Sequence, residues 1–447
     1  MNNRSPIKTI AWLLVLLFLP LLGLILYFFF GRDTRRLKYI SKRSLTQIQQ
    51  RSNLAYLTNT SLSVPEEYKR MKEYFENVSE ARLMGGTDID IIIDGEDFID
   101  KLLCEIESAK EHIHLLFYIF EDDSVGRRLR DALIQKARQG VEVRLIYDSV
   151  GCLKVSPLFF EEIRKAGGYV APFLKVYFPL LTNKINYRNH RKIVVIDGKV
   201  GFVGGFNIAD RYVSGGVWGH WRDTMLLMRG GAVYGLQVAF LIDWFFADRS
   251  LVSGSHYFPA VESDGGALSQ IVTSNPVGQW RTILNGMLMS ITTAKSYIYM
   301  QTPYFMPNDA VITAMQRAAL SGIDVRLMLP EKTDSQISDY ASKSYYDELL
   351  ESGVKIYLYR KGFLHSKCLV SDDLLSVVGS ANIDVRSFDY NFEVNSYIYD
   401  AAVARKLKQI FIDDIKDCRL LTAKEHKSRG LTQRLLESGA RLFSPLL

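Results

Sequence analysis

The chain has 447 residues, of which 48% are hydrophobic and 23% charged; this excludes a largely disordered protein and leaves enough apolar mass for two or three cores of ordinary size. Fifty-five Lys and Arg against 49 Asp and Glu give a net charge of +6, which suits an anionic partner but does not separate membrane phosphate from nucleic acid. The four cysteines, Cys104, Cys152, Cys368 and Cys418, are far apart and form no CxxC pair, which argues against a disulfide framework or a thiolate zinc site and for a reducing compartment.

The first predicted element is a transmembrane helix over residues 10–30. No charged side chain occurs from Ile10 to Phe30, and about 20 such residues at a rise of about 1.5 Å each cross a hydrocarbon core. Pro20 and Gly23 interrupt the run, but membrane helices tolerate both. No small-residue cleavage site precedes Arg32, so a signal peptide fits less well. Arg4 and Lys8 lie before the helix, and Arg32, Arg35, Arg36, Lys38, Lys42 and Arg43 after it. The larger cluster belongs on the cytoplasmic side and predicts a single-pass protein of the cell membrane with the remainder of the chain in the cytoplasm. The same cluster would attract anionic headgroups. Residues 31–85 are polar and helix-prone, and read as a basic linker and a leading helix.

From about residue 86 the chain repeats itself. AKEHIHLLFYIF (109–120) matches AKSYIYMQTPYF (294–305), each an apolar, aromatic and β-branched run of the kind that forms a buried strand. Each is followed by a helical face, Leu129, Ala132, Leu133 and Ala137 in one copy and Val311, Ala314, Met315 and Ala318 in the other. A glycine stop and a further strand follow, GVEVRLIYD and GIDVRLMLP, and then helices ending at Ala166-Gly167 and Ser352-Gly353. Such alternation predicts an α/β fold of two pseudo-symmetric halves, 86–262 and 263–424, each a parallel or mixed sheet flanked by helices. The tail, 425–447, reads either as an amphipathic helix touching a membrane or as a helix packed on the domain.

Each half then carries the same constellation. NHRKIVVIDGKVGFVGGFNIAD holds His190, Lys192, Asp197 and Asn207; LHSKCLVSDDLLSVVGSANID holds His365, Lys367, Asp372, Ser380 and Asn382. The pattern is HxKxxxxD followed by G-[GS]-x-N. On a strand, residues i and i+2 share a face, so each His–Lys pair points one way. One such pair is commonplace. Two, at matching places in two otherwise apolar strands, are costly to bury without purpose. Facing each other, they would supply two imidazoles, two ammoniums and two amides to one cavity suited to a phosphodiester. The lysines and the Asn207 and Asn382 amides would offset charge on the non-bridging oxygens. One imidazole would attack phosphorus, and the other would protonate the leaving alcohol and deprotonate the incoming one. Asp197 and Asp372 complete the motifs at the strand ends, as supporting charges rather than bases. His112 and His114 look like a metal pair but lack a Cys or carboxylate partner at ligand spacing. His220, His256 and His426 stand alone. No metal or cofactor is expected.

These motifs resemble the phospholipase D superfamily, and the surrounding words resemble its bacterial cardiolipin synthases: LLFLPLLGLILYFFFGR, YIFEDD, INYRNHRK, GGFNIADRY, YMQTPYFMP, LHSK, GSANIDVRSF, NFE and the final SPLL. The resemblance implies transfer of a phosphatidyl group between two phosphatidylglycerols, giving cardiolipin and glycerol through a phosphohistidine. It implies His190 as nucleophile and His365 as acid/base, each oriented by a carboxylate of the other half, Glu393 for His190 and Asp223 for His365. Many similar enzymes carry two membrane helices; the one here matches their second, which would place the N-terminus outside the cytoplasm. A hydrolase releasing phosphatidic acid would use the same residues. A nuclease would favour a basic track with stacking aromatics, whereas Tyr118, Phe120, Tyr304 and Phe305 fall in apolar runs. The expected partners are phosphatidylglycerol and anionic membrane lipid, not nucleic acid.

Overall fold

A computed structural model of the chain describes residues 6–27, 46, 48, 62–175, 186–260 and 266–444. The duplicated segments form equivalent elements. His112–Phe117 and Tyr297–Gln301 are strands buried at every position. Helices Ser124–Arg138 and Asp309–Leu320 follow, capped by the side chains of Asp123 and Asn308, which accept from the N–H groups of Gly126 and Val311; each cap contributes about 1 kcal/mol. Leu129, Leu133, Val311 and Met315 are fully buried on the inward faces. Both helices stop at glycines with φ of +89°, Gly140 and Gly322, a left-handed conformation that a Cβ would penalise. The next strands, Glu142–Asp148 and Asp324–Pro330, return parallel to the first in the same register, His112 opposite Glu142 and Tyr297 opposite Asp324.

The two halves do not carry separate sheets. They share one sheet of 15 strands, whose order runs from Tyr169–Phe173 at one edge to Cys418–Leu421 at the other. The seam lies between Met84–Ile92 and Ala267–Ser274, antiparallel, with Met84 opposite Ser269 and Thr87 opposite Ala267. Joining there satisfies the backbone groups that two edge strands would otherwise expose. Strand orders on the two sides of the seam mirror each other, and the parallel pairings lie toward the two outer ends. One face of the sheet carries a separate core for each half. The other carries a core shared by both, under the long helices Ala232–Asp248 and Ala401–Ile415.

The leading helix, Lys69–Ser79, packs on the second half: Met71 and Phe75 enter that half's core, with the Phe75 ring 4.5 Å from Tyr397. The apolar N-terminal segment is not one continuous helix. Helix Pro6–Phe18 breaks at Leu19 (φ −134°, ψ 65°), and Pro20–Leu26 turns back, bringing Tyr27 within 5.4 Å of Trp12. Proline lacks the N–H that would continue the ladder, and Gly23 lets the chains approach, since a Cβ there would lie 2.8 Å from the Val15 carbonyl. Among the described residues no helix is long and apolar enough to cross a membrane. The basic cluster from Arg32 to Arg43 lies outside the described residues.

Candidate active site

The site is assembled by two short parallel pairings between the halves. Strand His220–Arg222 runs beside Gly362–Leu364, with Leu364 opposite Arg222. One residue further places His365 against Asp223, and the His365 N–H donates to the Arg222 carbonyl at 2.7 Å. The counterpart is the bridge between Asn189 and Phe392. One residue further places His190 against Glu393, and the His190 N–H donates to the Phe392 carbonyl at 2.9 Å. Backbone register thus sets both histidine–carboxylate pairs.

His190 Nδ1 lies 3.1 and 3.2 Å from the Glu393 oxygens, and His365 Nδ1 2.5 Å from Asp223 Oδ2. Both carboxylates are fully buried. An ionised carboxylate only accepts, so each Nδ1 carries the proton and each Nε2 keeps its lone pair. Burial alone would raise the Asp223 and Glu393 pKa values; the Lys367 charge with His365, and His190 with Lys192, outweigh it and hold both below the ordinary range. Burial, then the neighbouring lysine, lowers the imidazoles, His365 to about 3. Burial also lowers the Lys192 pKa to about 7 and that of Lys367 to about 8. Each lysine curls back to the carbonyl of its own histidine. Charged lysines are needed to hold an anion, and that form is lost as pH rises through their pKa values. We therefore expect kcat/KM to fall above about pH 7 to 8, while in mild acid His190 stays neutral and able to attack. Rates across about pH 5 to 10 check this; a flat alkaline limb would show that the lysine charges are not required.

The histidines and lysines sit just before their strands, Ile193–Ile196 and Cys368–Ser371, rather than within them. His190 and His365 line one cavity of 520 Å³, together with Asn207 and Asn382. Lys192 and Lys367 are buried and do not line that cavity. Asp197 and Asp372 are not on the cavity wall. At φ +52° and +51° they close the turns after the strands, and each accepts from three successive N–H groups, of residues 110–112 and 295–297, at 2.7–3.0 Å. They pin the starts of the first strands of the two halves. The Asn207 amide is spent on the wall itself: Oδ1 accepts from the Ile119 N–H at 3.1 Å and Nδ2 donates to the Tyr212 hydroxyl at 2.6 Å. Asn382 Nδ2 donates to Asp384 at 2.9 Å. Each amide nitrogen thus gives one of its two hydrogens to the protein and keeps the other, on side chains that both line the cavity.

Ser380 and its counterpart Gly205 differ for a steric reason. Ser380 Oγ donates to Glu393, and its carbonyl lies 3.1 Å from His190 Nδ1. A Cβ at Gly205 would fall 1.9 Å from Asp223 Oδ1. Gly205→Ala should push Asp223 aside and lower kcat by about 10²-fold, the scale of a 1 Å misplacement. A crystal structure and kcat of that variant check it; an unmoved Asp223 with lost activity would refute the steric explanation.

Sequence reasoning passed over several residues that hold the site. Arg191, between His190 and Lys192, faces the other way and is fully buried, bonding both Asp243 oxygens at 2.8 and 2.7 Å and the Glu393 and Ser274 carbonyls at 3.0 Å. Arg222 reaches Asp414 of the other half at 3.1 and 2.9 Å. Each arginine borders an apolar run, where a buried charge needs a partner, and that was the available signal. Aromatic walls come from Tyr118, Tyr212, Trp218, Trp221 and Tyr304; Phe120 and Phe305 are core. His112 and His114 are bridged by Gln237 at 3.1 and 2.9 Å and kept neutral by burial. Among the described residues no cluster suits a metal ion.

A duplicated α/β chain that crosses two histidine–carboxylate pairs over one cavity defines the phospholipase D class of phosphodiester enzymes. The family model described as "Cardiolipin synthase, PLD-like domain" matches residues 102–217 and 287–415, and "Phospholipase_D-nuclease N-terminal" matches residues 1–32. The chain is 42% identical over its whole length to cardiolipin synthase 2 of Bacillus cereus, covering 88% of that protein. It is 41% identical to the major cardiolipin synthase of Bacillus subtilis, covering all of this chain and 95% of that one. In fold it is similar to the phosphatidylserine synthase of Haemophilus influenzae, at 14% identity and TM-score 0.64, over 85% of this chain and 100% of that one. The chain belongs to the cardiolipin synthase family of phospholipase D-like phosphatidyltransferases.

Proposed function

We propose that this enzyme makes cardiolipin from two phosphatidylglycerols through a phosphohistidine at His190. The observation that carries the mechanism is the crossed pairing, His190 with Glu393 and His365 with Asp223, about one cavity. His190 Nε2 attacks the donor phosphorus, and the bond to the headgroup glycerol oxygen breaks. The entering phosphodiester anion offsets the lysine charges that keep the imidazoles neutral, so His365 can take up the proton it passes to that oxygen. Glycerol leaves. His365 then removes a proton from the headgroup hydroxyl of a second phosphatidylglycerol. That oxygen attacks phosphorus, the P–N bond breaks, and His190 is restored. Lys192 and Lys367 offset the charge built on the non-bridging oxygens.

An acceptor carrying hydroxyl groups is suited by two asparagines of the cavity wall. Asn382 and Asn391 line the cavity, each less than a tenth exposed. Their Nδ2 groups are turned to Asp384 at 2.9 Å and Glu393 at 3.1 Å, and both Oδ1 atoms are buried without a partner. Unpaired buried acceptors cost about 1–3 kcal/mol each, and a turn of either amide toward the cavity would offer its oxygen to an acceptor hydroxyl. The uncharged apolar segment Ile10–Phe30 would hold the chain at the cell membrane, with the exposed leucines of its two helices in lipid and the basic residues 32–43 keeping the catalytic part on the cytoplasmic side. Purified protein incubated with phosphatidylglycerol vesicles, followed by lipid mass spectrometry, tests the proposal: cardiolipin with equimolar glycerol is expected, and phosphatidic acid alone would replace transfer by hydrolysis.

A further inference from the structure

The C-terminal helix, Leu431–Arg441, is amphipathic in the inverted sense. Its polar side faces the protein. Glu437 is 1% exposed and bonds Arg429 at 2.7 Å and Gln433 at 3.0 Å. Arg441 pairs with Glu348 at 2.6 Å, and Ser444, just beyond, lies 3.2 Å from the Tyr345 hydroxyl. Its apolar side faces outward. Leu431, Leu435 and Leu442 are 73%, 63% and 79% exposed, and steps of four and seven residues set them in one stripe. Leu436 and Phe443 broaden it; the exposed Arg434 lies on the same helix and the exposed Lys424 on the short helix before it, Ala423–Lys427. A helix placed only to cover the domain would be turned the other way, since buried apolar area is what stabilises packing.

The helix packs on Gln336–Lys343, whose Ser338 lines the cavity and whose Ile337 is exposed. On the other half, Trp218 lines the cavity beside Val217, and both are exposed. Apolar side chains from both halves therefore stand at or next to cavity-lining residues, and the helix that bears the stripe packs on one of the elements lining the cavity.

We propose that this surface is the face the enzyme lays on an anionic bilayer, with the leucine stripe in the acyl boundary and the cavity presented to lipid headgroups. The inference rests on the reading of the cavity as a phospholipid site. Exposed cations on an amphipathic helix and on the segment leading into it, with an outward apolar stripe, are the pattern that a membrane interface with negative headgroups selects; a protein partner would need no such charge bias.

The test uses the full chain reconstituted in vesicles of phosphatidylglycerol and phosphatidylcholine. A Leu435→Trp variant should gain fluorescence that brominated acyl chains quench, measured as the difference from the native chain with its five tryptophans. A Leu431→Ser/Leu435→Ser/Leu442→Ser variant should lose about ten-fold in initial rate on vesicles yet match the native chain in detergent micelles. Unquenched fluorescence overturns the proposal. So does disulfide cross-linking of a Leu435→Cys variant to itself in a background without exposed native cysteines, which would assign the stripe to a second copy. If position 435 is quenched but the native chain forms no cardiolipin, the docking face stands and the assigned reaction fails.

Discussion

A His190→Ala variant should form no measurable cardiolipin from phosphatidylglycerol, a loss of roughly 10⁴-fold or more, the scale seen when a nucleophile is removed. Nothing else at the site can replace it. His365 is tied to Asp223, and the lysines to histidine carbonyls. The variant should remain folded, because the buried Glu393 keeps two donors, Ser380 Oγ and Asn391 Nδ2, and is not left as an orphaned charge. Unchanged thermal unfolding with no product by lipid mass spectrometry is the expected result. Near-normal cardiolipin formation would remove the proposed mechanism.

The complementary variant, His365→Gln, separates the two steps. With phosphatidylglycerol it should lose about 10²- to 10⁴-fold, because the glycerol alkoxide leaves poorly without a proton donor. With a phosphatidyl ester of p-nitrophenol the leaving group needs no acid. His190 should then capture the phosphatidyl group, and the missing base should stop its transfer. One burst of p-nitrophenol per enzyme, and a phosphatidyl adduct on the peptide bearing His190, are expected. Continued turnover without an adduct would show that His365 is not the acid and base. An adduct on His365 in the His190→Ala variant would exchange the two roles.

The strand–helix order of both halves was legible because hydrophobic period is a local property: HIHLLF and YIYMQ cannot be covered except as buried strands. The duplication was legible for the same reason. The leading helix was harder to place. Met71 and Phe75 mark an apolar face in any setting, and only assembly shows that the second half covers it. The same holds at residues 10–30, where an uncharged run reads as one span, yet Leu19 and Pro20 break it into two helices.

The sequence alone determined which chemical groups the protein owns: two His–Lys motifs, at equivalent points of a repeated unit, enough to name a phosphodiester as the target. Pattern and spacing could not tell which carboxylates meet the imidazoles; the pairs Glu393–His190 and Asp223–His365 came only from the family resemblance. Asp197 and Asp372 share the motifs' spacing, yet they face backbone N–H groups, whereas Asp223 and Glu393, far away in sequence, lie against the imidazoles. That division was decided by tertiary structure, through two parallel pairings between halves some 140 to 200 residues apart in sequence. The physical reason is that side-chain direction along a strand is local, while the partner it meets depends on long-range register, which no short pattern encodes.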